Sequence, residues 1–89
     1  MIEKTVNVAS RVGLHARPAR VFVQAAAASG HKVTLISSEG RTANAASILG
    51  VLALGIAHGE EVTVASENPD AAGAVDSLAK LLQQDLEGE

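Results

Sequence analysis

Two hydrophobic periods alternate along this chain of 89 residues, and their order limits the folds that it can adopt. Apolar residues recur at every second position in some segments and at intervals of three and four in others, which indicates half-buried strands and amphipathic helices respectively. The period of two predicts four strands, at residues 2–8, 32–37, 41–44 and 61–66. The turn residues Ser37-Ser38-Glu39-Gly40 predict that the second and third strands form a hairpin.

Helical spacing predicts three helices, at residues 16–29, 47–54 and 68–86. The apolar stripe of the first helix consists of Ala19, Phe22, Val23, Ala26 and Ala27. The stripe of the last helix consists of Ala71, Val75, Leu78, Leu82 and Leu86. Boundary residues support these bounds, because Gly30 and Gly55 can close the first two helices, while Asn68-Pro69-Asp70 combines a cap, a first-turn proline and an early acid.

The resulting order of elements, βαββαβα, is typical of an α+β fold. A right-handed crossover from the first strand to the second leaves room for another strand between them. An antiparallel sheet with its helices on one face fits the alternation, because the faces rich in Thr and Lys can stay hydrated. We expect one domain over residues 1–89, since this length is too short for two.

Composition narrows the range of functions. The chain has no cysteine and a single aromatic residue, Phe22, so a disulfide framework and a thiolate zinc site are excluded and the core must be aliphatic. A net charge of −3, without a basic stripe or stacking aromatics, argues against a nucleic-acid partner. No apolar run reaches the roughly 20 residues of a membrane span, and no signal-peptide core is present, so we expect a cytoplasmic protein without direct membrane insertion.

Residues 13–19, Gly-Leu-His-Ala-Arg-Pro-Ala, place a histidine and an arginine at a predicted helix start. Pro18 suits a first turn, where the N–H that proline lacks would have no partner, and His15 or Ala16 is then the N-cap. Helix N-termini bind anions, phosphate especially, and the forked guanidinium of Arg17 suits phosphate oxygens. The pattern predicts a histidine that accepts a phosphoryl group, beside the alternative of a surface histidine that only caps a helix.

The second predicted helix is apolar nearly all round. A short helix on a small domain cannot bury every face, so we expect some of Ile48, Leu49, Val51 and Leu52 to stay exposed as a partner site. The alternative is that this helix lies deeper in the core. Ser47 is placed as its N-cap, which is the structural interpretation of that residue; a regulatory phosphorylation site is the functional one.

The segment of residues 13–19 resembles the active-site signature of the histidine-containing phosphocarrier (HPr) family, the small carriers of the bacterial phosphoenolpyruvate:sugar phosphotransferase system. A second segment, residues 44–55, is similar to the serine-site helix of that family. The resemblance covers nearly the whole chain, in length and in element order. It implies an open-faced β-sandwich of four antiparallel strands in the order 1-4-2-3, covered on one side by three helices.

The resemblance also implies roles for individual residues. Enzyme I would phosphorylate Nδ1 of His15, Ala16 and Arg17 would bind the phosphoryl group, and Pro18 would fix the helix start. The group would pass to the IIA domains of sugar permeases, so the chain would be a stoichiometric carrier and not an enzyme, acting as a monomer. Ile48 and Leu49 would belong to the surface that docks with these partners. From charge and expected exposure we add Arg11, Arg20, Val51 and Leu52 to that surface.

The chain departs from the family pattern in two places. The turn of residues 37–40 is one residue longer than in many members, which places the family's serine at Ser47. Gly50 stands where many members carry lysine, so the docking helix is less basic, and we expect it to be more flexible. In some bacteria an HPr kinase/phosphorylase phosphorylates the equivalent serine, and Ser47 is therefore a candidate regulatory site.

Two other functions fit parts of the sequence. A ligand-binding regulatory module with a ferredoxin-like or ACT-like sheet has a similar element order, and a small acyl-phosphate hydrolase would also use an arginine at a phosphate site. Within the carrier family, sugar uptake and a relay linked to nitrogen metabolism both remain open. We predict no chemical role for His31 or His58, and no metal or cofactor, because the histidines lack metal-ligand spacing.

Overall fold

The structure, a computed structural model, describes residues 1–11, 13, 14 and 16–84. Within this part of the chain, one antiparallel sheet has the order β1-β4-β2-β3. Its strands are β1 (Ile2–Asn7), β2 (Thr34–Ile36), β3 (Thr42–Asn44) and β4 (Glu61–Ser66). The helices are α1 (Ala16–Ala28), α2 (Ile48–Ala53) and α3 (Ala72–Leu82), and a 3-10 turn over Pro69–Ala71 leads into α3. The α+β class, the element order and the strand order are confirmed.

Both strands of the predicted hairpin are shorter than expected. β2 begins two residues later than predicted, at Thr34, and the turn between the strands is tightly hydrogen bonded. The Ser37 N–H donates to the Arg41 carbonyl at 2.8 Å, and the Gly40 N–H donates to the Ser37 carbonyl at 2.9 Å. These bonds end β2 at Ile36 and start β3 at Thr42.

Helix ends also differ from the predicted bounds. α1 ends at Ala28, since the Ser29 hydroxyl donates to the Ala26 carbonyl at 2.7 Å and Gly30 then takes a φ of +76°. Ser47 caps α2 and is not part of it, as described below. α3 ends at Leu82, and the predicted continuation to Leu86 lies partly outside the described residues.

The core lies between the sheet and the helices and is aliphatic apart from Phe22, which is fully buried. The predicted stripe of α3 is confirmed at Ala71, Val75, Leu78 and Leu82, all of which are buried. The stripe of α1 is narrower than predicted. Ala19, Phe22 and Ala26 are buried and Val23 is partly buried, whereas Ala27 is exposed, because it lies about 100° around the helix from Ala26.

On the opposite face of the sheet, polar residues pair between β1 and β4. Thr5 on β1 lies directly across from Thr63 on β4, and their hydroxyl oxygens are 2.9 Å apart. Lys4 faces the helices instead, beside Val64, and reaches Asp76 of α3 at 3.7 Å. None of the described helices is long and apolar enough to cross a membrane.

Candidate functional site

The loop between β1 and α1 is fixed to a second loop, the one that precedes β4. The Leu14 N–H donates to the Ile56 carbonyl at 3.0 Å, and the Leu14 side chain is buried. A turn just before it is closed by the Gly13 N–H, which donates to the Ser10 carbonyl at 3.0 Å. These contacts hold the backbone that leads into α1.

Gly13 is required where these two loops meet. Its φ is +71°, in the left-handed region that other residues rarely adopt. A Cβ at this position would also overlap the Ile56 carbonyl oxygen and lie 2.9 Å from the Ala57 Cα. The glycine therefore permits both the backbone turn and the close approach that set where the helix begins.

α1 begins at Ala16, the residue directly after His15. His15 itself lies outside the described residues. Pro18 is in the first turn, as predicted, and its side chain is buried, so the proline anchors the helix start to the core. Ala16 is the first helical residue and not the N-cap, which removes one of the two predicted capping residues.

Two exposed arginines lie at the beginning of α1. Arg17 and Arg20 are three residues apart, so they lie on one face of α1, and both side chains are exposed. Within residues 1–11, 13, 14 and 16–84, neither guanidinium forms an ion pair with a carboxylate. Arg11 is also exposed, in the turn before Gly13. The face is therefore cationic although the chain as a whole is acidic.

α2 packs against α1 and carries the exposed apolar residues of this region. Ile48 is 38% exposed and Leu49 is 78% exposed. Ser47 is the N-cap, as predicted: its Oγ accepts a hydrogen bond from the Gly50 N–H at 3.1 Å. A Cβ on residue 50 would lie 3.3 Å from that oxygen, so glycine leaves the cap uncrowded.

The predicted docking set on α2 needs one correction. Val51 is fully buried and belongs to the core, so it is not available to a partner. Val51 is the buried residue of this six-residue helix, and it packs α2 against the core. Leu52 is partly buried against the core. The exposed apolar surface of α2 thus consists mainly of Ile48 and Leu49.

A carboxylate that the sequence did not single out joins the hairpin turn to the loop before β4. Oε1 of Glu60 accepts from the Ala57 N–H at 3.1 Å, and Oε2 accepts from the Ser38 N–H at 3.1 Å and the Ser38 hydroxyl at 2.8 Å. The hydrogen bond from Ala57, followed by those from Ser38, lowers the pKa of Glu60. Nothing in the spacing of the sequence links Glu60 to Ser38.

The other two histidines lie away from this helix start in the sequence. His31 is half-buried in the connection from α1 to β2, and His58 is exposed in the loop before β4. No group of three potential metal ligands occurs among the residues that the structure describes.

An open antiparallel sheet beneath three helices, with a histidine immediately before a helix that carries Arg17 and Pro18, defines the class of small α+β phosphocarriers. The family model for the PTS HPr component phosphorylation site matches residues 2–84. The chain therefore belongs to the HPr family of the phosphotransferase system.

Individual relatives agree with this assignment. The phosphocarrier protein HPr of Streptomyces coelicolor is 49% identical over 87 residues, which cover 98% of this chain and 94% of the relative. That of Treponema pallidum is 40% identical over 89 residues and the full length of both chains. The crystal structure of HPr from Bacillus anthracis superimposes with a TM-score of 0.85 at 38% identity, covering 92% of this chain and 96% of that one.

The function follows from the family. The chain is a phosphocarrier of the phosphotransferase system, a role that serves sugar transport, and it is not a catalytic enzyme. It interacts with components of that system such as Enzyme I and IIA domains. The regulatory-module and hydrolase alternatives are thereby set aside.

Proposed function

We propose that His15 is the residue of this carrier that holds the phosphoryl group, on its Nδ1 atom. The observation that carries the proposal is the helix start: α1 begins at the next residue, Pro18 is buried in the first turn, and the exposed Arg17 has no ionic partner within the described chain. An anion at this position meets the positive end of a helix of 13 residues.

The transfer step exchanges one P–N bond for another. A neutral His15, with its proton on Nε2, attacks phosphorus through the lone pair of Nδ1. The donor phosphohistidine of Enzyme I carries a proton on its other ring nitrogen, so when its P–N bond breaks the electron pair stays with the donor ring, which leaves as neutral imidazole. Phosphorylated His15 keeps its proton on Nε2. No proton has to be supplied from elsewhere. The IIA domain then takes the group from Nδ1 in the same way, in line between two histidines.

The helix end and Arg17 stabilise the phosphoryl group only modestly. A favourable charge at a helix terminus contributes about 0.3–1 kcal/mol at an exposed position. Arg17 is exposed, so its attraction to the phosphoryl oxygens is screened by water and salt. Modest stabilisation suits a carrier, because tight binding of the phosphoryl group would slow its onward transfer. The same positive end disfavours imidazolium and so favours the nucleophilic form of His15.

Donor and acceptor dock on the surface formed by the exposed residues of α1 and α2. Ile48 and Leu49 supply its apolar centre, and Arg17 and Arg20 supply charge for acidic partner surfaces. Arg11 and Leu52 extend this surface. So small an apolar area fits a transient complex, in which each partner must leave after transfer.

Ser47 is a second, regulatory site in this proposal. Its hydroxyl caps α2 and is only partly buried, so it is accessible to a kinase such as HPr kinase/phosphorylase. A phosphate there would add a charge of about −1.5 to −2 beside Ile48 and Leu49 and would weaken docking. The proposal also includes a single domain over residues 1–89 that acts as a monomer in the cytoplasm.

Mass spectrometry of the intact protein after incubation with Enzyme I and phosphoenolpyruvate tests the site. We expect one added phosphoryl group that is lost in acid and stable in alkali. His15→Ala should fold normally and gain no phosphoryl group, while the matched variant His58→Ala, which removes an exposed loop histidine, should be phosphorylated like the parent. Phosphorylation of His15→Ala, or its loss in His58→Ala, would contradict the assignment.

A further inference from the structure

The last carbonyl groups of α2 accept hydrogen bonds from two different parts of the chain. Two of them accept from the N–H groups of Leu54 and Gly55, which follow the helix, both at 3.2 Å. The Ala53 carbonyl instead accepts from the Arg41 guanidinium at 3.3 Å. Arg41 lies 12 residues earlier in the chain, between the hairpin turn and β3, so a distant side chain completes this helix end.

α2 depends on such contacts more than a longer helix would. A helix of six residues is not stable by itself in water, and Gly50 in its interior lowers the helix propensity further. A cation at a helix C-terminus is stabilising, because the free carbonyl groups there carry partial negative charge. The last turn of α2 contains no basic residue, so Arg41 supplies this charge from outside the helix.

The hairpin turn that precedes Arg41 is itself fixed to the rest of the fold. The Arg41 N–H donates to the Ser37 Oγ at 3.2 Å, and the Arg41 carbonyl accepts from the Ser37 N–H at 2.8 Å. Ser38 donates twice to the carboxylate of Glu60, whose other oxygen accepts from the Ala57 N–H. The hairpin turn and Arg41 therefore bind both the end of α2 and the loop that follows this helix.

We propose that Arg41 is a positioning residue for docking, which caps α2 from the hairpin and holds Ile48 and Leu49 in the arrangement that Enzyme I binds. Glu60 contributes indirectly, because it fixes the turn from which Arg41 acts. The inference rests on the docking role proposed above for α2. Neither Arg41 nor Glu60 has to contact the partner in this role, so docking depends on side chains outside the surface that the partner covers.

Direct attraction to an acidic partner is the other way in which an exposed arginine affects docking. Glu60→Gln separates the two mechanisms. An amide has one acceptor oxygen where the carboxylate has two, so this variant loses the hydrogen bond from Ala57 or those from Ser38. It also removes a negative charge, which would strengthen attraction to an acidic partner. The positioning role therefore predicts weaker docking of Glu60→Gln, whereas direct attraction predicts stronger docking.

The test is the steady-state kinetics of Enzyme I and phosphoenolpyruvate with this chain as the phosphoryl acceptor. We expect KM for the chain to rise about two- to fivefold in Arg41→Ala, as for the loss of one cation at a helix end, with kcat unchanged. KM should rise by a smaller factor in Glu60→Gln. Amide hydrogen exchange at Val51 and Leu54, measured on Arg41→Ala without Enzyme I, should be about two- to fivefold faster than in the parent.

Lys32→Ala is the matched control, because it removes an exposed cation at the end of β2 that is opposite to the hairpin turn. It should leave KM and the exchange rates in α2 unchanged. The proposal would be overturned by an unchanged KM or unchanged exchange in Arg41→Ala, by an equal rise of KM in Lys32→Ala, or by an unchanged or lower KM in Glu60→Gln. If Leu49→Ala also leaves KM unchanged, the docking role of α2 fails, and the role of Arg41 fails with it.

Discussion

Replacing Gly13 by alanine should both destabilise the fold and disturb the helix start. Alanine at a φ of +71° costs about 1–2 kcal/mol. The added methyl group also overlaps the Ile56 carbonyl, and forcing extra volume into a packed contact costs about 1–3 kcal/mol more. The sum of about 2–5 kcal/mol is a large part of the stability expected for a chain of this length, about 4–13 kcal/mol.

Thermal unfolding followed by circular dichroism measures the effect, with Gly30→Ala as the matched control. Gly30 has a similar φ of +76°, but nothing lies within 4 Å of the position that its Cβ would occupy. We expect Tm to fall by roughly 10–30 °C for Gly13→Ala and by roughly 5–15 °C for Gly30→Ala. Gly13→Ala should also slow phosphoryl uptake at temperatures where it remains folded. An equal fall in Tm in the two variants would refute the claim that the close approach of Gly13 to Ile56 fixes the loop.

Two further predictions concern the hydrogen bonds that the Glu60 carboxylate accepts and the exposed face of α2. The pKa of Glu60 lies below its usual value of 4.5, so its carboxylate contributes stability that is present above that pH and is lost as the pH falls through the lowered pKa. Glu60→Gln should therefore lower the urea midpoint at pH 7 and reduce the loss of stability as the pH falls below 4.5. Glu61→Gln, which changes an exposed carboxylate on β4, should leave the urea midpoint at pH 7 nearly unchanged, and equal midpoints in the two variants would contradict the role of Glu60. Leu49→Ala should leave the urea midpoint nearly unchanged and slow transfer from Enzyme I. Val51→Ala should instead lower the free energy of unfolding by about 1–3 kcal/mol. Unchanged transfer kinetics in Leu49→Ala would remove α2 from the docking surface.

Local signals in the sequence predicted much of this fold. The bounds of β4, the capping role of Ser47 and the first-turn position of Pro18 are confirmed, because each depends on a few neighbouring residues. Asn68 caps the 3-10 turn and not the last helix itself, because α3 begins only at Ala72. Element order and the alternation of apolar residues were enough to predict an open antiparallel sheet. The strand order was implied by the family resemblance and is also confirmed.

Features that depend on distant contacts were not predictable in the same way. The burial of Val51 depends on how α2 rests on the core, which its nearly uniform apolar pattern does not reveal. Glu60 gains its partner Ser38 from a turn 22 residues away in the chain.

The sequence predicted those parts of the site that depend on residues close together in the chain. Arg17 and Pro18 lie where the helix-start pattern placed them. The close packing of Gly13 against Ile56 joins two loops about 40 residues apart and has no counterpart in the sequence pattern. The chemical role of His15 remains a prediction, since it concerns a bond that forms only with the donor.

Nuclear magnetic resonance of the chain labelled with ¹⁵N in its histidine rings tests the central claim most directly. The protein is phosphorylated with Enzyme I and phosphoenolpyruvate, and the coupling of phosphorus to each ring nitrogen is measured in alkali. We expect one phosphorus coupled to Nδ1 of His15, with His31 and His58 unchanged. Coupling to Nε2, to another histidine or to no histidine at all would contradict it.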